Sequence, residues 1–169
     1  MLKWFYDDLN EWILSGCDNE IAIKVINLDI SKNNIKFLPR EISNLINLEQ
    51  LNCSNNEITE FIPEIENLIH LKYFYCQHNK IKKFIPEIGN LVHLQNFNCA
   101  GNEITKFIPE IGDLTNLKKF NCEYNKIPEL IPEIGNLINM HIFLCSNNQI
   151  KELIPEIDSL INLKLFIWN

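Results

Sequence analysis

The feature that most constrains the fold of this chain is an eight-residue stretch that returns every 23 residues. It reads FIPEIENL from Phe61, FIPEIGNL from Phe84, FIPEIGDL from Phe107, LIPEIGNL from Leu130 and LIPEIDSL from Leu153. Four columns are invariant over six copies without any insertion: Asn33 to Asn148 and Ile35 to Ile150 before this stretch, and Ile42 to Ile157 and Leu45 to Leu160 at its positions. Such a period predicts a stack of similar coils, each of which buries its apolar residues against its neighbours.

The segment before each invariant asparagine alternates like a β-strand. In QLNCS, residues 50–54, Leu51 and Cys53 share one face and the polar residues share the other. Parallel stacking of the copies buries the apolar face, so the sequence predicts a sheet of seven strands about 4.8 Å apart. The asparagine suits a turn in which its side chain bonds backbone groups of its own and neighbouring coils. Proline followed by glutamate predicts a short helical turn on the opposite side of each coil.

The consensus LxxLxxFxCxxNxIxx(F/L)IPEIxx resembles the leucine-rich repeat family, in its 23-residue form with L-P-x-x-I on the outer side. The resemblance covers residues 22–169, as six full repeats and a partial seventh. Repeats of this Ile/Asn-rich kind are similar to those of amoebae and of the large DNA viruses that infect them. The resemblance implies an α/β fold, namely a leucine-rich-repeat solenoid or horseshoe with a curved parallel sheet and short convex helical turns.

Residues 1–21 are predicted to cap the first coil, because stacked coils leave an apolar edge at each end. Leu2, Tyr6, Leu9 and Ile13 follow helical spacing, which predicts an amphipathic capping helix from about Leu2 to Leu14. A helix that lies on a membrane surface is the competing interpretation, but such helices are usually rich in lysine and arginine.

The other end of the repeat array carries no polar cap in the sequence. Its last residues, INLKLFIWN, are apolar in the core columns. An open strand edge beside an apolar flank invites pairing with another chain, which predicts a two-fold homodimer through this end. A shortened chain that tolerates the open edge is the alternative. The residues predicted to mediate self-association are Ile142, Leu144, Leu163, Leu165, Phe166, Ile167 and Trp168.

No pattern of catalytic residues is recognisable in the sequence, so we do not expect an enzyme. Five of the six cysteines form a column from Cys53 to Cys145, which the strand alternation places inside as small, reduced apolar residues. A straight ladder of thiols neither converges on a metal nor suits disulfide geometry. His70 and His93 share one column without an evident third ligand. We therefore expect no metal and no cofactor.

The predicted binding surface is the concave face, which the outward-facing strand positions form. It is amide-rich and poor in positive charge, and the chain carries a net charge of −7, which together argue against nucleic acid as the partner. Aromatic side chains of the kind enriched at binding hot spots lie near its middle, although strand preference explains two of them equally well. The predicted protein-binding residues are Tyr73, Tyr75, His78, Asn98, Asn121 and Tyr124.

These observations predict a non-enzymatic module or scaffold that binds a protein partner, as the family resemblance implies. No apolar run approaches the ~20 residues of a membrane span. Acidic residues within residues 7–11 interrupt the apolar core that a signal peptide needs, so the predicted location is the cytoplasm, or the host cytoplasm if the protein is viral. The alternatives are a ligand- or glycan-sensing receptor domain and the substrate-recognition part of a larger enzyme such as a ubiquitin ligase.

Overall fold

The computed structural model of the protein describes residues 1–168, which form one open sheet of parallel strands ordered as in the chain. The predicted curved solenoid is confirmed. The strands are β1 (Leu2–Phe5), β2 (Val25–Asp29), β3 (Gln50–Asn52), β4 (Tyr73–Tyr75), β5 (Asn96–Asn98), β6 (Lys119–Asn121), β7 (Ile142–Leu144) and β8 (Leu165–Ile167).

The predicted helical turns lie between successive strands from β2 onward and are single 3-10 turns. Five of the six begin at the repeated proline, whose fixed φ and missing N–H suit the first helical position. In each of the first five turns the central isoleucine is buried, as is the leucine that follows every turn. The turns are Arg40–Asn44, Pro63–Asn67, Pro86–Asn90, Pro109–Asp113, Pro132–Asn136 and Pro155–Ser159.

Phenylalanine rings fill the middle of the core in a continuous column. Phe97 is fully buried, and its ring lies 5.4 Å from that of Phe74 and 5.5 Å from that of Phe120, within 10° of parallel in both pairs. The strand register places these residues directly opposite one another, so each coil presents the same shape to the next. Aromatic pairs of this kind add about 1 kcal/mol beyond the area they bury.

The asparagine column fastens neighbouring coils together, as the sequence predicts. The side-chain nitrogen of Asn102 donates to the carbonyl oxygens of Cys76 in the preceding coil and Cys99 in its own coil, both at 3.0 Å. Its side-chain oxygen accepts from the backbone N–H of Ile81, also at 3.0 Å. One buried side chain thus satisfies three backbone groups that no strand or helix provides for.

The prediction of a helix from Leu2 is wrong for its first turn. Leu2–Phe5 forms strand β1, parallel to β2, and helix α1 begins only at Tyr6 and ends at Leu14. A short helix, α2 (Asn19–Ala22), leads into β2. The free backbone groups at the edge of β2 explain the strand, because pairing satisfies them and buries Trp4 against the ring of Trp12, 5.5 Å away. Within residues 1–168 the sheet therefore has eight strands instead of the predicted seven.

Candidate functional site

The concave surface consists of the side chains on either side of the buried central residue of each strand. Because the strands pair in register, these side chains form two straight rows across the sheet. The first row is Asn27, Gln50, Tyr73, Asn96, Lys119, Ile142 and Leu165. The second row is Asp29, Asn52, Tyr75, Asn98, Asn121, Leu144 and Ile167.

Two predicted site residues, Asn98 and Asn121, are neighbours in the second row. The side-chain oxygen of Asn98 accepts from the N–H of Ala100 at 3.1 Å, and that of Asn121 accepts from the N–H of Glu123 at 3.0 Å. Such local turns hold an asparagine side chain in one orientation. Both side-chain nitrogens remain without an acceptor in residues 1–168, so the pair presents oriented amide donors on the concave surface.

Tyr73 and Tyr75 lie on the same face of β4, about 7 Å apart along the strand. Tyr73 is 37% exposed and Tyr75 is partly buried. Burial, and to a smaller degree the neighbouring Tyr73, raises the pKa of Tyr75 above its usual value, so its phenol stays protonated at neutral pH. Since Tyr75 pairs in register with Asn98, the tyrosines and the two oriented amides form one contiguous patch.

The remaining predicted site residues, His78 and Tyr124, lie in the turns that follow β4 and β6. Both have left-handed backbone conformations, with φ of 56° and 53°, and Gly101 occupies the same position in the coil between them, with φ of 63°. A Cβ added at Gly101 would lie 2.6 Å from the Nδ1 atom of His78. Glycine therefore allows the imidazole to lie against the next coil. Sequence reasoning missed this contact, although the single glycine in that column was the available signal.

The residues predicted to mediate self-association divide into two groups. Ile142 pairs in register with Leu165, and Leu144 with Ile167, so these four form an aliphatic patch at one end of the concave surface. Leu165 and Ile167 are 44% and 42% exposed. The other three residues, Leu163, Phe166 and Trp168, are partly buried and pack against the core.

The cysteine column lies inside, as predicted, and its thiols are free. All five side chains are fully buried. Burial raises the pKa of Cys53 to about 12, and the pKa of Cys76 and Cys122 is also well above the usual value for the same reason. These thiols are protonated at neutral pH, which makes them poor nucleophiles and poor metal ligands.

The rings of His70 and His93 stack at 6.3 Å with an interplanar angle of 14°, on the exposed rim where the strands begin. In residues 1–168 no group of three or more histidine, cysteine, aspartate and glutamate side chains is arranged to hold a metal ion. The pair is therefore a feature of coil stacking in this structure.

The stacked coils with their invariant asparagines match a family model that is described as a leucine-rich repeat region, over residues 23–126 and 59–169. The chain belongs to the leucine-rich repeat family. Domains of this family commonly mediate contacts between proteins. No curated protein sequence is significantly similar to this leucine-rich repeat chain.

Solved leucine-rich repeat structures superimpose on most of the chain. A leucine-rich repeat protein of Leptospira interrogans is 26% identical over 96% of the chain, with a TM-score of 0.75, and an internalin of Listeria monocytogenes is 26% identical over 85%, with a TM-score of 0.76. The ectodomain of a plant membrane receptor kinase from Arabidopsis thaliana, solved in complex with Casparian strip integrity factor 2, is 28% identical over 84%, with a TM-score of 0.74. The chain spans 46%, 41% and 18% of these three proteins.

The structure also bears on the prediction about membranes. Of the helices within residues 1–168, none has both the length and the apolar character that crossing a bilayer requires.

Proposed function

We propose that the protein is a non-enzymatic binding module whose concave surface holds an extended segment of a protein partner. The observation that carries the proposal is the contiguous patch of Tyr73, Tyr75, Asn98 and Asn121, in which an exposed and a partly buried ring adjoin amide donors of fixed orientation. Two structural neighbours support it: the Arabidopsis ectodomain was solved with Casparian strip integrity factor 2, and a plant peptide hormone receptor was solved with RGF2.

The chemistry of the patch suits a peptide backbone. An extended segment has unpaired carbonyl oxygens along its edge, which the side-chain nitrogens of Asn98 and Asn121 can bond. Tyrosine rings supply a large contact area while losing little conformational freedom. Because local hydrogen bonds already fix the two amides, the entropy lost on binding is small.

A receptor for a small ligand or glycan is the second candidate, and the observed cavities do not favour it. One cavity of about 460 Å³ lies on the strand-start rim beside Met1, Ile23, Glu49 and His70, away from the tyrosines. A substrate-recognition role within a larger enzyme remains compatible with the proposed binding surface, since it uses the same contact with a protein.

A reducing compartment such as the cytoplasm is part of the proposal. All six cysteines are free. Disulfides persist in secreted proteins and are rare in the cytosol, so unpaired thiols in this number favour an intracellular location. Detection of the tagged protein in fractionated cells would test this prediction, and its recovery from the secreted fraction would contradict it.

The homodimer stays a prediction, and light scattering tests it. If the aliphatic patch binds a second copy, the measured mass is twice the 19.9 kDa of one chain and falls to one chain in Leu144→Asp/Ile167→Asp. A mass that is the same in the wild type and in this variant contradicts self-association through the patch.

The binding proposal is tested by selecting random twelve-residue peptides displayed on phage against the wild-type chain. The triple variant Tyr73→Ala/Tyr75→Ala/Asn98→Ala is expected to bind the selected peptides at least about tenfold more weakly, since aromatic hot spots often contribute 2 kcal/mol or more. The matched control changes the convex residues Glu87, Glu110 and Glu133 to alanine and should leave binding unchanged. If the selected peptides bind the triple variant as tightly as they bind the wild type, the proposal is contradicted.

A further inference from the structure

Three lysines form a cluster of unpaired positive charge beside the aliphatic patch. Lys118 and Lys164 lie on the strand-start rim, with His141 between them. The N–H of His141 donates to the carbonyl of Lys118, and that of Lys164 to the carbonyl of His141, both at 2.8 Å. Lys119 lies next to Lys118, on the concave surface. Within residues 1–168 none of the three lysines forms an ion pair.

The same column is neutralised in the earlier coils. Glu49 and Lys72 occupy the positions equivalent to Lys118 and form an ion pair at 2.8 Å. Gln95 follows them in the next coil without a charge. The rim thus changes from compensated to cationic at β6, although the chain as a whole carries a net charge of −7.

The concave surface changes its chemistry at the same coils. Its two rows hold amides, aspartate and tyrosines up to β5, and then aliphatic side chains in β7 and β8. Lys119, Ile142 and Leu165 are consecutive in the first row, so the positive charge directly adjoins the aliphatic patch. Exposed apolar patches that are bordered by polar residues are typical of contact sites for other proteins.

We propose that this end of the concave surface binds a partner segment that carries a carboxylate beside a large apolar side chain. The proposal rests on the proposed function and specifies the chemistry of the partner. The apolar side chain covers the patch formed by Ile142, Leu144, Leu165 and Ile167. The carboxylate meets Lys118, Lys119 or Lys164, which a charged group of opposite sign complements.

Strand spacing sets the distance between the two groups of the partner. Lys119 lies about one and a half coils, or roughly 7 Å, from the centre of the patch. An extended chain advances about 3.4 Å per residue, so the acidic residue lies about two positions from the apolar one. Residues two apart in an extended chain face the same side, as this contact requires.

The test compares peptides selected from the same phage library by three forms of the chain. These are the wild type, Lys118→Glu/Lys119→Glu/Lys164→Glu, and a control that makes the same charge change at the exposed residues Lys36, Lys82 and Lys106. The wild type and the control should enrich peptides with aspartate or glutamate two positions from a large apolar residue. The variant with glutamate in place of Lys118, Lys119 and Lys164 should bind those peptides at least about tenfold more weakly, because it replaces attraction with repulsion.

The outcomes separate this inference from the proposed function. If the selected peptides lose affinity in Tyr73→Ala/Tyr75→Ala/Asn98→Ala but not in Lys118→Glu/Lys119→Glu/Lys164→Glu, the concave surface binds peptides and the acidic partner is wrong. If light scattering shows a dimer that Leu144→Asp/Ile167→Asp abolishes, the patch belongs to a second copy and the inference is overturned. Sequences without enrichment of acidic residues would overturn it as well.

Discussion

The inside of the solenoid and its concave surface are built from the same strands, yet they differ in how far they repeat. Inside, every coil from the second strand onward presents the same phenylalanine or leucine, and most present the same cysteine and asparagine, to its neighbour. On the concave surface, neighbouring coils hardly ever carry the same side chains at equivalent positions. A buried column must fit both of its neighbours, whereas an exposed one need only fit a partner. The repeated buried columns therefore stabilise the fold, whereas the varied concave positions are available to a partner.

The largest expected effect on the repeated interior comes from pH. Burial raises the pKa of Cys53 and Cys145 to about 12 from the ordinary value of 9.0, and the other thiols of the column also shift upward. Between the two values only the unfolded chain releases these protons, so stability is complete below pH 9 and falls as the pH rises. At pH 10 five thiols together lower the free energy of unfolding by on the order of 7 kcal/mol.

Urea unfolding at pH 8 and pH 10 measures this loss. Cys99→Ala should reduce the difference between the two pH values by about 1.4 kcal/mol, which is one pH unit for one thiol. Cys17→Ala is the comparison variant and should change the difference less: Cys17 lies outside the column and is only partly buried, although burial and the Glu41 carboxylate raise its pKa as well. An equal pH dependence in the wild type and in Cys99→Ala would mean that the thiols are not protected by the fold.

Removing one ring from the phenylalanine column is expected to have the next largest effect. Phe97→Ala should lower the free energy of unfolding by about 4 kcal/mol, since it leaves a cavity between the rings of Phe74 and Phe120. Thermal or urea unfolding measures the change. Tyr73→Ala, which removes an aromatic side chain from the concave surface, should lower it by less than about 1 kcal/mol. If both variants lose a similar free energy of unfolding, the buried rings do not stabilise the fold more than the concave ones, which contradicts the comparison.

Two asparagines in the same coil provide a closer comparison. Asn102→Ala leaves the buried N–H of Ile81 without a partner and removes one of the two side-chain hydrogen bonds that each of the Cys76 and Cys99 carbonyls accepts. It should lower the free energy of unfolding by about 3 kcal/mol. Asn98→Ala removes one hydrogen bond, to Ala100, at the partly exposed surface and should lower it by about 0.5 kcal/mol. The affinity for the selected peptides should show the opposite order. When only the folded fraction of each variant is compared, Asn98→Ala should bind more weakly than Asn102→Ala. Equal stability losses would show that the asparagine column is not what joins the coils.

The sequence predicts the interior well because each interior position occurs in up to six copies of the repeat. Asn102 and Phe97 could be placed because every copy confirms the column to which they belong. The first strand has no such copies: Leu2 and Tyr6 fit a helical period, and only the open edge of β2 decides that Leu2–Phe5 pairs as a strand. Local periodicity does not carry that information.

The sequence predicted the positions of the concave residues but not the contacts that fix their side chains. Alternation placed Tyr73, Tyr75, Asn98 and Asn121 on one surface, because a strand has a period of two. It did not show that local hydrogen bonds fix the two asparagines or that His78 lies against Gly101. Those contacts depend on backbone conformations after the strands, which vary with single residues and not with the repeat.

The smallest expected effect concerns Tyr124, an exposed aromatic residue whose backbone conformation lowers stability. Tyr124 is 62% exposed and has a φ of 53°, a conformation that asparagine tolerates and bulky residues rarely adopt. Tyr124→Asn should therefore raise the free energy of unfolding by about 1 kcal/mol and weaken peptide binding. The reverse change at the equivalent position of the next coil, Asn147→Tyr, should lower stability by a similar amount without improving binding. Urea unfolding of both variants measures the two signs. If Tyr124→Asn is instead less stable, the ring contributes packing, and this tyrosine belongs with the interior columns and not with the binding surface.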